Sequence, residues 1–370
     1  MIASKLEPRS AEELAQIVRE TAPRNLAIAA LGSGTTLGLG NPPEREDLTI
    51  CTRGLRRVVD YEAEDQVIVV EAGITLGELQ AVLAEKKQRL AIDPFDGGAM
   101  TIGGMLATNA YGPSALRYGT LKDLIVGIEI VRADGAIARA GGKVVKNVAG
   151  FDVSKLMVGS LGTLGVITKA TFRLHPLPEA SRTLAFASAP AQVFPFVLAL
   201  REAQLEPSAI VARLADEVAT IEIRFEGFGP GVAAQSATCE ETAIGLGLKE
   251  CSGDAEHRGA EPGAIRLKAA FPPSELSNVV ERVQRATVFP GLGVMFADLG
   301  GAAAAHDITS MRAFFERIGG SLVVERMPQE LYGKIDAWGT PPPSFALMRA
   351  LKERFDPARR LNPGRFVGGL

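Results

Sequence analysis

The alternation of apolar and polar positions divides the chain into two textures. Leu14, Ile17 and Val18 form an apolar stripe behind Ser10 and Glu13, which predicts a helix opened by a capping box. Asn25 to Leu31 reads as a buried strand that runs into Gly32-Ser33-Gly34-Thr35-Thr36. Val67 to Glu71 reads as a second strand, and Thr75 with Glu78 predicts another capping box and a helix to about Lys87. Asp123 to Arg132 alternates as a strand and meets a hairpin signal at Asp134-Gly135. Leu164 to Leu174 is a further strand, ending at His175-Pro176.

The texture changes after Pro176 and Pro178. Strands are predicted near 183–187, 209–215, 219–225, 265–270, 292–298 and 321–326, and helices near 191–203, 230–245, 274–286 and 304–318. That alternation predicts an antiparallel sheet covered by helices on one face, an α+β arrangement. No long internal repeat and no low-complexity tract shows in the pattern. Pro341-Pro342-Pro343 is a stiff link into a last helix, about Ser344 to Phe355, and a tail from Asp356 to Leu370.

Glycine alters this picture. Of 40 glycines, 21 fall between Gly32 and Gly165. Glycine permits close backbone approach and positive φ at a cost in chain entropy, so such a density marks either a cofactor bed or a β-rich domain with many turns. Gly97 to Leu116 is twenty residues without a charge, long enough to raise the question of a membrane span. Gly97, Gly98, Gly103, Gly104, Asn109, Gly112 and Pro113 would make a poor lone helix, and a buried, close-fitting loop is the expectation.

Bulk properties narrow the chemistry. The 370 residues suggest two domains, and 46 % hydrophobic with 22 % charged residues is an ordinary globular balance. A net charge of −3 lacks the Lys/Arg excess that a nucleic-acid surface needs. Cys51, Cys239 and Cys251 form no CxxC pair and no disulfide framework, which points to a reducing cytosol. They also fall short of the roughly four closely spaced thiolates of an iron–sulfur cluster. His175, His257 and His306 are far apart, so no His-based metal site is expected. The first twenty residues carry Glu7, Glu12, Glu13 and Glu20 without an apolar stretch, unlike a signal peptide.

Four segments carry candidate chemistry. Gly32 to Thr36 offers successive backbone N–H groups and three hydroxyls to an anion, with no Lys or Arg in the loop. It is not a Rossmann fingerprint, because position 37 is Leu and Gly38 comes one residue late, nor a Walker loop. By itself it reads equally as an ordinary turn. The second segment runs from Pro94 to Gly112 and on through Arg117-Tyr118-Gly119 to Asp123. The third comprises Val145 to Asp152 and Gly159 to Thr168, and the last Phe355-Asp356-Pro357 with Leu361 to Phe366.

In this order the segments resemble the FAD-binding fold of the vanillyl-alcohol oxidase (PCMH) type, over residues 25–178 and again over 350–367. The phrases TIGGMLATNAYG, RYG, GSLGTLGVIT and FDPARRLNPGRF carry the resemblance. Within that superfamily, KNVAGFDVSKLMVGSLGTLGVIT and WGTPPPSFALMRALKERFDP look most like the E-type subunits of bacterial glycolate oxidases. The resemblance implies a two-subdomain FAD-binding domain over 1–178, a ferredoxin-like antiparallel α+β cap for substrate or partner over 179–338, and a return over 339–370 that completes the FAD domain.

It also implies roles. Gly32, Ser33, Gly34, Thr35 and Thr36 would hold the pyrophosphate. Thr101, Ile102, Gly103 and Gly104 would lie along the flavin and pyrophosphate. Thr108, Asn109 and Gly112 would pack near the isoalloxazine, and Gly162, Gly165, Val166 and Ile167 would hold the adenine side. Asn362 would reach toward the flavin ring. Such a neutral, mostly apolar bed with a few aimed donors suits a flavin. Some relatives attach FAD through His or Cys in the first loop or the glycine segment. Neither occurs in Gly32–Thr36 or Gly97–Gly112, so the FAD is expected to be non-covalent. The metal-dependent 2-hydroxyacid dehydrogenases of this fold place a His-rich motif in the second domain. Here 179–338 contains only His257 and His306, and no metal site is expected.

Several residues carry two readings. Lys146 suits FAD or substrate contact as well as a surface turn. Arg117 reads as a partner of Asp123, Trp338 as a wedge between domains, and Tyr111 and Tyr118 as packing or flavin-lining residues. Arg359, Arg360 and Arg365 read as a solvated helix end, with phosphates or a partner as the alternative.

The resulting expectation is a cytoplasmic FAD-binding subunit of a glycolate oxidase or dehydrogenase complex, peripheral at the inner face of the membrane through that complex. Electrons from a 2-hydroxy acid (glycolate, D-lactate) would pass to an iron–sulfur F-type partner, alongside a sister FAD-containing D-type subunit. Two alternatives stand beside it. One is a self-sufficient dehydrogenase with Arg224, Arg266 and Arg326 as candidate carboxylate clamps. The other is a scaffold that has lost catalysis.

Overall fold

The computed structural model describes residues 4–142, 152–253, 265–300 and 304–370. They form two compact units: Met1–Tyr111 with Thr120–Leu177 and Tyr332–Leu370, and Gly112–Gly119 with Pro178–Leu331. No helix among the described residues is long and apolar enough to cross a membrane.

Among the described residues the first unit has ten strands. A parallel sheet is made of β1 (Ser4–Leu6), β2 (Ile28–Leu31) and β3 (Leu48–Cys51), in the order β1-β3-β2. The helix Ala11–Thr21 lies over it and contributes Leu14, Ala15 and Val18 to a core with Ile28, Ile50 and Leu361. Ser10 caps that helix as expected, its hydroxyl accepting from Glu13 N at 3.1 Å. The Glu13 carboxylate, however, accepts from Arg9 N at 2.7 Å rather than from the cap itself, so the box closes one residue early. The chain end joins this sheet: Leu361 bridges Ile28 in parallel, with Ile28 N donating to Arg360 O and Asn362 N to Ile28 O.

The second sheet comprises β4 (Val58–Glu62), β5 (Val67–Glu71), β7 (Ile125–Val131), β8 (Ile137–Gly141) and β9 (Val166–Arg173), antiparallel in the order β4-β5-β9-β7-β8. The short strands β6 (Gln88–Arg89) and β10 (His175–Pro176) pair beside it. Thr75 and Glu78 form the full predicted capping box, on a helix that runs only over Leu76–Ala84. The strand expected from Asp123 begins at Ile125, because Asp123 is spent capping a single turn, Leu121–Leu124, through Thr120 N at 2.8 Å.

The larger departure lies in the charge-free stretch. Gly97–Leu116 was expected as a loop, yet Ile102–Thr108 is a helix, capped by Thr101 Oγ1 accepting from Gly104 N and ended by Asn109 at φ 51°. Propensity argues against it, but tertiary burial overrides propensity. Ile102, Met105 and Leu106 are fully buried in the core under the second sheet.

The second unit contains one antiparallel sheet of β11 (Ala180–Ser188), β12 (Ala209–Ala215), β13 (Val218–Gly227), β14 (Lys249–Glu250), β15 (Ile265–Ala270), β16 (Arg285–Phe289), β17 (Val294–Leu299) and β18 (Ser321–Arg326). Its order is β14-β11-β13-β12-β16-β17-β15-β18. Two of these strands were not foreseen. The helix expected over 274–286 ends at Arg282, and Arg285–Phe289 is a strand instead, where Val283, Thr287 and Val288 favour extended backbone.

Finding β16 reveals a repeat that the sequence hides. Each half runs strand, helix, strand, strand, helix, strand, with helices Val193–Glu202 and Gly229–Gly245 in the first half and Leu276–Arg282 and Ala304–Arg317 in the second. The first half has the order 4-1-3-2 and the second its mirror, 2-3-1-4, joined through β12 and β16. The second unit is thus two ferredoxin-like motifs sharing one sheet. Register places Phe186 opposite Ile221 and Leu184 opposite Ile223, on the face where Phe186 meets Phe196 of the first helix at 5.6 Å.

Candidate functional site: a cradle of small residues in the first unit

Four chain segments meet around two adjoining grooves in the first unit. β2 delivers the loop Gly32–Leu37, the helix Ile102–Thr108 supplies one wall, the loop Gly159–Gly165 a second, and the C-terminal return a third. The grooves share Ala30, Leu31, Gly32, Gly104, Ala107 and Leu161.

Close packing explains the small residues. A Cβ on Gly32 would lie 2.0 Å from Thr101 Oγ1, so only glycine lets the loop pass the helix cap. Thr101 N in turn donates to Ser33 Oγ at 3.3 Å, tying the two segments together. Gly103 N donates to Ala72 O at 2.7 Å, which seats the helix on the end of β5. At the helix's other end, Gly159 N donates to Leu106 O and Leu161 N to Ala107 O, both at 2.9 Å. Leu161 (φ 51°) and Gly162 (φ 68°) are consecutive left-handed residues. A leucine there is strained, and such strain persists only where surrounding contacts over-determine it.

Asn362 is one of those contacts. Its Nδ2 donates to Leu161 O at 2.7 Å, while its Oδ1 is buried without a hydrogen-bond partner at the groove wall. Asn109 Oδ1 is also buried without a partner. The return that carries Asn362 is fixed by a buried ion pair. Lys352 Nζ donates to Asp356 Oδ2 at 2.7 Å, to Thr163 O at 2.8 Å and to Leu361 O at 2.9 Å. Asp356 also accepts from Arg360 N and Leu361 N. Burial pulls the Lys352 ammonium below its ordinary range, and the Asp356 charge pulls it back up.

The predicted residues divide as follows. Gly32, Ser33, Gly34, Thr35, Thr36, Thr101, Gly104, Thr108 and Asn362 line the first groove, and Gly103, Gly162, Gly165, Val166 and Ile167 the second. Ile102 points away, fully buried in the core. Gly112 belongs to the second unit, where its carbonyl accepts from Ala115 N. Asn109 caps the helix that carries Thr108. Lys146 and His257 lie outside the described residues.

Other sequence readings change. Arg117 donates to Glu226 O at 2.6 Å rather than pairing with Asp123, and Tyr118 OH donates to Glu226 at 3.2 Å. Within the first unit Trp338 clamps the tail, its indole N–H donating to Arg365 O at 2.9 Å and its ring meeting Phe366 edge-on at 5.1 Å. Of the three tail arginines only Arg359 is exposed, as a solvated end would be. Arg359 bonds Glu44, and Arg360 is buried against Leu26 O, Ala133 O, Val18 O and Thr21 Oγ1. Arg365 lines the first groove beside Leu37. Sequence reasoning gave Arg365 a phosphate only as its second reading, and missed Lys352 and Leu161 as parts of the cradle. No local signal could have found them, since each acts on residues far away in the chain.

The second unit has a cavity of about 380 Å³ lined by Arg182, Glu222, Arg224 and Cys251. Of the three candidate clamps, Arg266 is engaged by Asp298 at 3.0 Å, and Arg224 bonds Ser208 and Ser114. Arg326 sits opposite Arg266 on β18. Among the described residues, no group of three or more His, Cys, Asp or Glu is placed to hold a metal ion.

Residues 3–141 match the FAD binding domain family model, and residues 340–366 match that of the C-terminal domain of FAD linked oxidases. The chain carries FAD-binding and FAD-linked oxidase domains. Its cofactor is FAD, and it is an FAD-dependent oxidoreductase. It is 28% identical to glycolate oxidase subunit GlcD of Bacillus subtilis, over 97% of this chain and 87% of that protein. It is 38% identical to a D-lactate dehydrogenase of Archaeoglobus fulgidus over 46% of this chain, and 35% identical to mitochondrial D-2-hydroxyglutarate dehydrogenase of Rattus norvegicus over 47%. Those two alignments span only 38% and 33% of the longer relatives. In fold, the chain superposes on a solved alkyldihydroxyacetonephosphate synthase with a TM-score of 0.75 at 19% identity, covering 97% of this chain and 75% of that one.

The residues present fit FAD. Apart from Arg365 the groove walls are neutral, they are small at Gly32, Gly104 and Gly162 where an extended dinucleotide must lie close to backbone, and the buried amide oxygen of Asn362 at the first groove has no donor. A flavin ring system offers an N–H donor to such an oxygen.

Proposed function

We propose that the chain is the FAD-binding subunit of a glycolate oxidase or dehydrogenase complex. In this reading it passes electrons from a 2-hydroxy acid, glycolate or D-lactate, through flavin to an iron–sulfur partner of the F type, beside a D-type flavoprotein. Residues 1–178 bind FAD, 179–338 cap the site for substrate or partner, and 339–370 complete the FAD domain.

The observation that carries this reading is an imbalance: the cradle is complete, while the chain's three cysteines are too few for a cluster. Similarity to GlcD along nearly the whole chain, and to D-lactate dehydrogenase over the first half, supports the substrate class. The E-type phrases in the third segment and the tail support the subunit type. Bound FAD supplies a two-electron acceptor for the two electrons released when a 2-hydroxy acid becomes a 2-oxo acid.

Each part of the chain has a task in this scheme. Gly32, Ser33, Gly34, Thr35 and Thr36 hold the pyrophosphate, and Thr101, Gly103 and Gly104 let it approach the helix. Thr108, Asn109 and Asn362 orient the ring. Gly162, Gly165, Val166 and Ile167 keep water from the adenine side. The complex sits in the cytoplasm, at the inner face of the membrane.

Anaerobic addition of glycolate or D-lactate tests the proposal. The flavin of the isolated chain is expected to stay oxidised, and that of the complex from the native cell to bleach, with an iron–sulfur chain copurifying. Bleaching of the isolated chain would favour a self-sufficient dehydrogenase. A complex in which this chain is flavin-free would overturn the proposal.

A further inference from the structure

We propose that Arg365 is the cationic partner of the FAD pyrophosphate, brought to the Gly32–Thr36 loop by the C-terminal return. The inference rests on the reading that this loop holds the pyrophosphate.

Charge is the first argument. A dinucleotide pyrophosphate carries two negative charges, and the loop offers only amide and hydroxyl donors. Of the side chains lining that groove, Arg365 is the one that is ionisable. Guanidinium is also the group best matched to phosphate oxygens.

Placement is the second. The backbone of Arg365 is held on both sides, its carbonyl accepting from Asn41 N at 3.0 Å and from Trp338 Nε1 at 2.9 Å. Its Nη2 donates to Leu37 O at 2.8 Å and Leu39 O at 2.6 Å, which sets the guanidinium against the exit of the loop. Those bonds use one nitrogen. Nε is buried and has no hydrogen-bond partner.

Energetics is the third. Burial pulls the Arg365 pKa below its ordinary value, with the fields of Glu46 and Tyr332 opposing that pull. No salt bridge to Arg365 is formed among the described residues, unlike Arg359, which pairs with Glu44 at 3.1 Å. A half-buried cation whose Nε–H has no partner is better satisfied when an anion arrives. The pyrophosphate is such an anion, and the Nη2 bonds to Leu37 O and Leu39 O hold the guanidinium at the groove where it would lie.

A purely structural role, stapling residues 37–39, would serve every flavin alike, and this separates the two explanations. The flavin-free full-length chain and its R365Q and R365K variants are titrated with FAD and with riboflavin, which lacks phosphate, by quenching of flavin fluorescence. Arg365→Gln is expected to weaken FAD binding about ten- to a hundredfold, the scale of a lost hydrogen bond to a charged group, and to leave riboflavin within about twofold. Arg365→Lys is expected to recover part of the loss. Raising the salt concentration is expected to weaken FAD more than riboflavin in the unmodified chain, and less so in R365Q. Equal losses for both flavins, or no loss for FAD, would overturn the inference. If R365Q does not fold, the salt dependence of the unmodified chain and of R365K decides in the same way. Failure of the unmodified chain to bind FAD at all would instead overturn the placement of the pyrophosphate, and this inference with it.

Discussion

The cradle of the first unit and the sheet of the second use opposite materials. The cradle is almost free of charge, and its function lies in what side chains leave out: Gly32 beside Thr101, Gly162 beside Asn362. The sheet of the second unit is laced with ions that neutralise one another. Arg213 meets Glu222 at 2.6 Å, Arg266 meets Asp298 at 3.0 Å, and Arg285 meets Asp216 at 3.0 Å. Charged residues in a sheet therefore announce cross-strand pairing more readily than catalysis. Here the neutral glycine-rich segments spoke for function, and the arginines Arg224 and Arg266, chosen as clamps for their charge, proved to be engaged within their own unit.

Substitutions in the two units test this contrast. The largest effect is expected at the one buried ion pair that serves the cradle. Lys352→Met leaves Asp356 buried and unpaired, and should cost about 3–5 kcal/mol in a denaturant melt, with loss of flavin. An unchanged midpoint would mean that the return is held by other contacts.

Gly32→Ala comes next. Its Cβ would overlap Thr101 Oγ1, and overpacking of about 1–3 kcal/mol should weaken FAD binding about 5- to 150-fold. Gly245→Ala, in the second unit with nothing within 4 Å, should leave flavin binding unchanged. Equal effects of the two would show that small residues are not special to the cradle.

Arg213→Ala should be smaller, about 1–2 kcal/mol of stability through Glu222, with flavin affinity unaltered in a fluorescence titration. A change in flavin affinity would give the second-unit charges a part that the present account denies them.

The smallest effect concerns the thiols. Burial pushes the Cys239 thiol up to about 12, with Glu240 adding to the rise; burial, Glu222 and Glu250 raise the Cys251 thiol as well, but Cys251 is only half-buried. A thiol reagent near pH 8 should label Cys251 first and Cys239 only in denaturant, because the thiolate is the reactive form. Rapid labelling of Cys239 in the native chain would contradict its role as core filling.

What could be read from the sequence follows from range. Thr75 and Glu78 sit three residues apart, and their capping box formed as expected. Val67–Glu71 and the Asp134-Gly135 turn are equally local, and both stand. The helix Ile102–Thr108 escaped because its stability comes from Ala72 and the surrounding core, not from its own residues. β16 escaped because Val283 to Val288 continues an apolar run that a helix also tolerates, and with β16 unseen the repeat could not be found. In the site, motif resemblance located the wall residues. Ile102 shows its limit, since a motif position does not say which way a side chain points. The sequence offered phosphates for Arg365 as an alternative but could not choose it, and Lys352 was illegible, because their partners, Leu37 and Thr163, lie across most of the chain or a whole intervening unit.

The most direct test of the central claim, that this cradle holds FAD without a covalent link, is the flavin content of the purified full-length chain before and after acid precipitation. The account predicts about one flavin per chain, released into the supernatant as FAD. A colourless protein, or colour that stays with the precipitate, would contradict it.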